Sequence, residues 1–114
     1  MPVMKRVVVS LGLVLALSCA GRHPIVELTA GGVDVVVDRA DPEPRCTDLG
    51  PIRVSHGSVC SAFGMEGTEE GAYVVLRNTA SARGANYVRL EMSLPPRETR
   101  NCLFTMVGTA FRCP

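Results

Sequence analysis

The chain has 114 residues, five aromatic side chains and no tryptophan, so it has room for one small domain with a thin aliphatic core. Its formal charge of +1 argues against a strongly basic nucleic-acid binder. Without Lys5 and Arg6, ten scattered arginines face eleven acids, a net charge of −1.

Residues 1–18 have the parts of an export signal. Lys5 and Arg6 form a short basic region, and Val7 to Leu17 form an apolar run of eleven residues. That run is shorter than the roughly 20 residues a membrane span needs. Met4 is an alternative start that leaves this reading intact. The run ends Ala16-Leu17-Ser18-Cys19, which resembles the lipobox of bacterial lipoproteins. The resemblance implies a lipidated Cys19, hence a membrane anchor. Ala20 follows it, rather than the aspartate that resembles an inner-membrane retention signal, so the expected location is the outer membrane, facing the periplasm.

Residues 19–32 lack periodicity and contain Pro24 and Gly31-Gly32; they read as the lipidated cysteine and a tether, with His23 solvated. The domain proper is expected over residues 33–114. Val33, Val35 and Val37 alternate with Asp34 and Asp38, which predicts a first strand over residues 33–38, with Val36 on the outer face. Asp34, Asp38 and Asp41 lack the spacing of a calcium loop and read as a solvated face. Asp41-Pro42-Glu43-Pro44 ends regular structure. A second strand opens at Cys46 with Leu49, Ile52 and Val54 as apolar positions; Gly50-Pro51 within it predicts a bulge or an edge location.

Residues 56–67 read as a loop holding Cys60, Phe63 and Met65. The clearest signal follows. Thr68 is a helix N-cap, Glu69 and Glu70 suit the positive end of the helix dipole, and Ala72, Leu76 and Ala80 share one face. Arg83 lies in the last turn and Gly84 at the left-handed C-terminal position. Val88, Leu90 and Met92 then alternate with Tyr87, Arg89 and Glu91 as in a half-buried strand. Residues 95–101 form a polar loop, and a last strand runs from Cys102 to Cys113, with Gly108 as a bulge site. The order strand-strand-helix-strand-strand predicts an α+β fold, a small sheet of about four strands with one helix packed on it.

With Cys19 lipidated, Cys46, Cys60, Cys102 and Cys113 remain, none in close metal-ligand or redox spacing. An even number in an exported domain predicts two disulfides. Three pairings exist; Cys46–Cys113 with Cys60–Cys102 is preferred, because Cys46 and Cys113 end two predicted strands.

Leu76-Arg77-Asn78-x-Ala80 followed by Gly84-x-Asn86 resembles the signature of a family of small bacterial lipoproteins of unknown function. The likeness covers nearly the whole mature domain. It is more distantly similar to the outer-membrane lipoprotein sensor of the Rcs envelope-stress phosphorelay. The chain departs from that sensor in carrying Glu91-Met92 where the sensor has a cysteine, and in lacking its long proline-rich tether. The resemblance implies the α+β fold. The signature also has a plain structural reading, with Leu76 and Ala80 facing the sheet, Gly84 turning the chain and Asn86 bonding the helix-end carbonyls.

His56 with Ser55, Ser58 and Ser61 is the one cluster from which a hydrolase or metal site can be drawn. No nucleophile-elbow, phosphate-loop or dinucleotide motif accompanies it. The expectation is therefore no enzyme, no cofactor and no metal. It is an envelope interaction module that meets a protein or cell-wall partner through the loop at residues 95–101 or through Phe63 and Met65. The alternative is a small-ligand or metal-binding protein, or a weak enzyme, built around His56.

Overall fold

A computed structural model describes residues 23–58, 65–96 and 101–114. In chain order the elements are a single helical turn α1 (Ala30–Val33), β1 (Val36–Asp38), β2 (Thr47–His56), α2 (Glu69–Ala82), β3 (Tyr87–Leu94) and β4 (Phe104–Arg112). The sheet order is β1-β3-β4-β2. β1 runs parallel to β3, whereas β3–β4 and β4–β2 are antiparallel. This is the expected α+β architecture, a four-stranded mixed sheet with α2 packed on one face.

Helix α2 forms for local reasons. The Thr68 hydroxyl accepts the Gly71 amide at 3.1 Å, and Glu69 and Glu70 occupy the first turn. At the other end Gly84 adopts φ +83°, Ala85 N–H donates to Ala80 O and Gly84 N–H to Ser81 O. That pair of bonds is a Schellman closure. Ala72, Leu76 and Ala80 are fully buried against Ile52, Val54, Val88, Leu90, Met106 and Ala110 of the sheet. Burying a leucine such as Leu76 contributes about 2 kcal/mol, and the small alanines let the helix approach closely.

Four details differ from the sequence reading. The first strand is confined to Val36–Asp38, because Ala30–Val33 winds into a turn capped by the Thr29 hydroxyl. Val33 is consequently 62% exposed, while Val35 is buried. Gly31 and Gly32 permit that turn to press on α2: a Cβ at Gly31 would stand 2.2 Å from Ser81 Oγ, and one at Gly32 would stand 2.5 Å from Asn78 Oδ1.

The bulge near Gly108 lies instead on β3, between Leu90 and Met92, opposite Gly108. Gly108 is required for close approach, since a Cβ there would meet Arg89 O at 2.4 Å. The extra residue reverses the alternation beyond it, which turns Met92 out to 49% exposure. The predicted bulge at Gly50 is present, with φ +97° and a register shift between Asp48 and Gly50, on a β2 that is a sheet edge.

Asn86 does not bond the helix end, whose carbonyls the Schellman closure already satisfies. Its Nδ2 donates to Cys113 O at 2.9 Å, and its Oδ1 accepts the Cys113 amide at 2.7 Å. Cys113 is in turn joined to Cys46, with Cα atoms 4.1 Å apart. That disulfide holds the 39–46 loop near the outer sheet face, where Tyr87 donates to Ala40 O at 2.7 Å and Arg89 donates to Asp41 at 2.9 Å. Phe111 is left only 7% exposed, beside Tyr87 and beneath the Arg89 guanidinium at 5.5 Å.

The fourth difference is the tether. From His23 onward it is seated on the domain rather than free.

Candidate functional site

The last residue of β2 lies where the N-terminal segment, the start of α2 and the sheet meet. His56 is 3% exposed. The backbone N–H of Thr68 donates to its Nδ1 at 3.1 Å. A backbone amide can only donate, so Nδ1 is unprotonated and the proton of the neutral ring is on Nε2. Nε2 faces the Pro24 carbonyl at 3.1 Å and His23 Nδ1 at 3.3 Å, and the two imidazoles meet edge to face at 4.9 Å. The ring also lies against Gly71, where a Cβ would come within 2.3 Å of it. Glycine at this helical position is the space the imidazole occupies.

From this junction the N-terminal segment runs along α2. His23 N–H donates to Glu66 O at 3.3 Å. Asn78 then grips the segment from both sides: its Nδ2 donates to Glu27 O at 2.9 Å, and its Oδ1 accepts the Thr29 amide at 2.9 Å. Residues 23–29 are therefore a strap rather than a tether, and His23 is part of its fastening rather than solvated.

Of the serines expected beside His56, the two described ones, Ser55 and Ser58, do not assemble with it. Ser55 points to the other sheet face, where it bonds the Thr105 hydroxyl at 2.9 Å. Ser58 Oγ donates to Met65 O and accepts the Met65 amide, closing the mouth of the loop. Ser61, Phe63 and Cys60 lie outside the described residues, as does Cys19. Cys102 is disulfide-bonded, and the expected Cys60–Cys102 pairing falls outside the described residues.

The imposed tautomer bears on the chemistry available. A metal held through Nε2 needs a lone pair there and a proton on Nδ1, yet Nδ1 already faces an N–H donor. The same arrangement keeps Nε2 from acting as a base while the Thr68 bond stands. His56 is a fastener. Beside it, an open groove of about 660 Å³ is lined by Glu66, Gly67, Thr68, Glu69, Glu70 and Tyr73. Among the described residues no three His, Cys, Asp or Glu side chains converge as metal ligands, and no helix is long and apolar enough to cross a membrane.

Among the described residues, the shifted ionisations belong to the outer sheet face. The Thr109 hydroxyl, then the Arg89 guanidinium, holds the Glu91 carboxyl below its usual range. Hydrogen bonds to Asp41 and Glu91 raise Arg89. Desolvation, then Asp38 and Asp41, raises Tyr87.

Of the signature residues, Leu76 and Ala80 face the sheet, Gly84 turns the chain, Asn86 clamps Cys113 and Asn78 binds the strap. Arg77 carries a buried Nε without a hydrogen-bond partner among the described residues. Sequence reasoning missed the His23–His56 and Asn78–strap contacts. Asn78 stands out in the sequence only within the signature-like Leu76-Arg77-Asn78 stretch, and nothing local points to its partners.

Residues 26–113 match the model of a protein family described as Domain of unknown function (DUF4156), and the chain belongs to that family. No curated protein and no solved structure matches it.

Proposed function

We propose that this member of the DUF4156 family is an outer-membrane lipoprotein, anchored through lipid on Cys19 and facing the periplasm, that acts as an envelope interaction module rather than as an enzyme. The observation that carries the non-enzymatic part is the state of His56. Its Nδ1 is taken by the Thr68 amide, and neither nearby described serine joins it. The lipobox-like Leu17-Ser18-Cys19 after a basic and apolar leader supports the anchor. The resemblance to small bacterial lipoproteins and, at greater distance, to the Rcs stress sensor supports an envelope role.

Two experiments test the reading. Mass spectrometry of the protein from the envelope should find the chain beginning at Cys19 and carrying acyl chains. A soluble protein with an unmodified Cys19 sinks the anchor. Photoreactive residues placed along the exposed faces should capture a discrete envelope protein or cell-wall fragment in a Cys19-dependent way. Loss of partner capture on Cys19→Ser is the expected control. An absence of any specific adduct would remove the interaction module.

A further inference from the structure

The strap determines how an anchored domain stands on its membrane. This inference rests on the lipidation of Cys19 argued above. Only three residues separate Cys19 from His23. Four extended peptide steps span at most about 14 Å. His23 is held at one end of the molecule through Glu66 and His56. That end also carries the start of α2 and the start of β4, where Gly67 N–H donates to Cys102 O at 2.7 Å. The opposite end carries Gly84 and the Cys46–Cys113 disulfide. The 14 residues of α2 separate the two ends by about 21 Å.

We propose that the seated strap mounts the domain on the lipid surface with this His56–Thr68 pole toward the bilayer, so that the disulfide pole is the one presented to the periplasm. A free tether running to Val35 would instead let sixteen residues wander, with a root-mean-square reach of about 22 Å and no preferred pole. The seated strap removes that freedom. Ile25 and Val26, 42% and 52% exposed, add apolar surface beside the anchored pole. Charge does not produce the mount, because Glu66, Glu69 and Glu70 at this pole have no attraction for anionic headgroups. Chain length produces it, so the orientation is insensitive to salt.

The test uses the protein purified from the envelope and placed in nanodiscs of phosphatidylethanolamine and phosphatidylglycerol doped with a headgroup-nitroxide lipid. Amide signals of Gly67, Thr68 and Glu69 should be lost, while those of Gly84, Arg112 and Cys113 persist, at low and at high salt. Asn78→Ala and His23→Ala, which each undo part of the strap without emptying the core, should spread the broadening over both poles. Uniform broadening in the unaltered protein overturns the proposal, as does broadening centred on the disulfide pole. Mass spectrometry of the same preparation reads the anchor separately. Should Cys19 prove unmodified, the lipoprotein reading fails by itself, and the orientation is read with a maleimide lipid coupled to Cys19.

Discussion

The amide of Thr68 donates to Nδ1 of His56 across 3.1 Å, and this bond decides which nitrogen of a buried ring carries the proton. Three parts of the molecule depend on it: the free amide at the N-cap of α2, the end of β2 and the Pro24 carbonyl of the strap. Nitrogen chemical shifts of His56 should show the Nε2–H tautomer at neutral pH, and the Nδ1–H tautomer would contradict the arrangement. Replacing His56 with Ala should lower unfolding stability by about 3 kcal/mol, from the unsatisfied amide and the emptied space. Urea denaturation measures it.

Gly71→Ala is a second test with an inverted sign. On an open helix surface this change stabilises by about 1 kcal/mol. Here the new methyl would lie 2.3 Å from the His56 ring. The expected outcome is a loss of about 1–3 kcal/mol by overpacking, together with a shift in the His56 and His23 ring signals. A gain in midpoint would show that the ring does not press on the helix.

The Cys46–Cys113 link closes 67 residues of chain. In the chain-entropy description, a loop of that length contributes on the order of 4 kcal/mol. Paired replacement of Cys46 and Cys113 by Ser should cost about that much. Asn86→Ala should cost about 2 kcal/mol by freeing both backbone groups of Cys113. Because Asn86 and the disulfide hold the same residue, the three changes combined should cost less than the sum of the separate losses. Denaturation midpoints of the four proteins form the cycle.

Glu91 supplies a pH-dependent contribution whose sign is determined by its lowered folded-state pKa. The contribution is fully present above the unfolded carboxyl value of about 4.3 and is lost as pH falls through the lower folded value. Carboxyl carbon shifts should place the Glu91 titration below the ordinary glutamate range. Thr109→Val, which removes the hydroxyl that does most to lower it, should move it back up. An unmoved titration would disprove the role given to Thr109.

The elements that sequence resolved well are those whose signals lie within a turn or a pleat. Thr68, Glu69, the Ala72–Leu76–Ala80 stripe and Gly84 describe α2 almost residue by residue, because caps and periodicity act over three or four positions. Gly50-Pro51 marks a bulge on an edge strand because neither residue suits a central ladder. Cys46 and Cys113 lie at the outer ends of two strands, which favours their pairing among the three possible ones, and they are joined in the fold.

The His23–His56 contact and the strap are different in kind. His23 and His56 are 33 residues apart, and Asn78 meets Glu27 and Thr29 across about fifty. No local pattern records such a meeting. It exists because the parallel β1–β3 pairing carries the N-terminal segment along α2 before the chain enters the sheet. Likewise, Met92 reads as a core residue by alternation and is exposed because β3 bulges just before it, between Leu90, which pairs with Gly108, and Met92, which pairs with Val107. What the sequence by itself determined is the helix with its caps and the order of the strands and helix along the chain. The tertiary structure alone decided the sheet order, the proton position on His56 and the seating of the strap. Those depend on groups brought together across the chain, whose donors and acceptors are satisfied only once the sheet has formed.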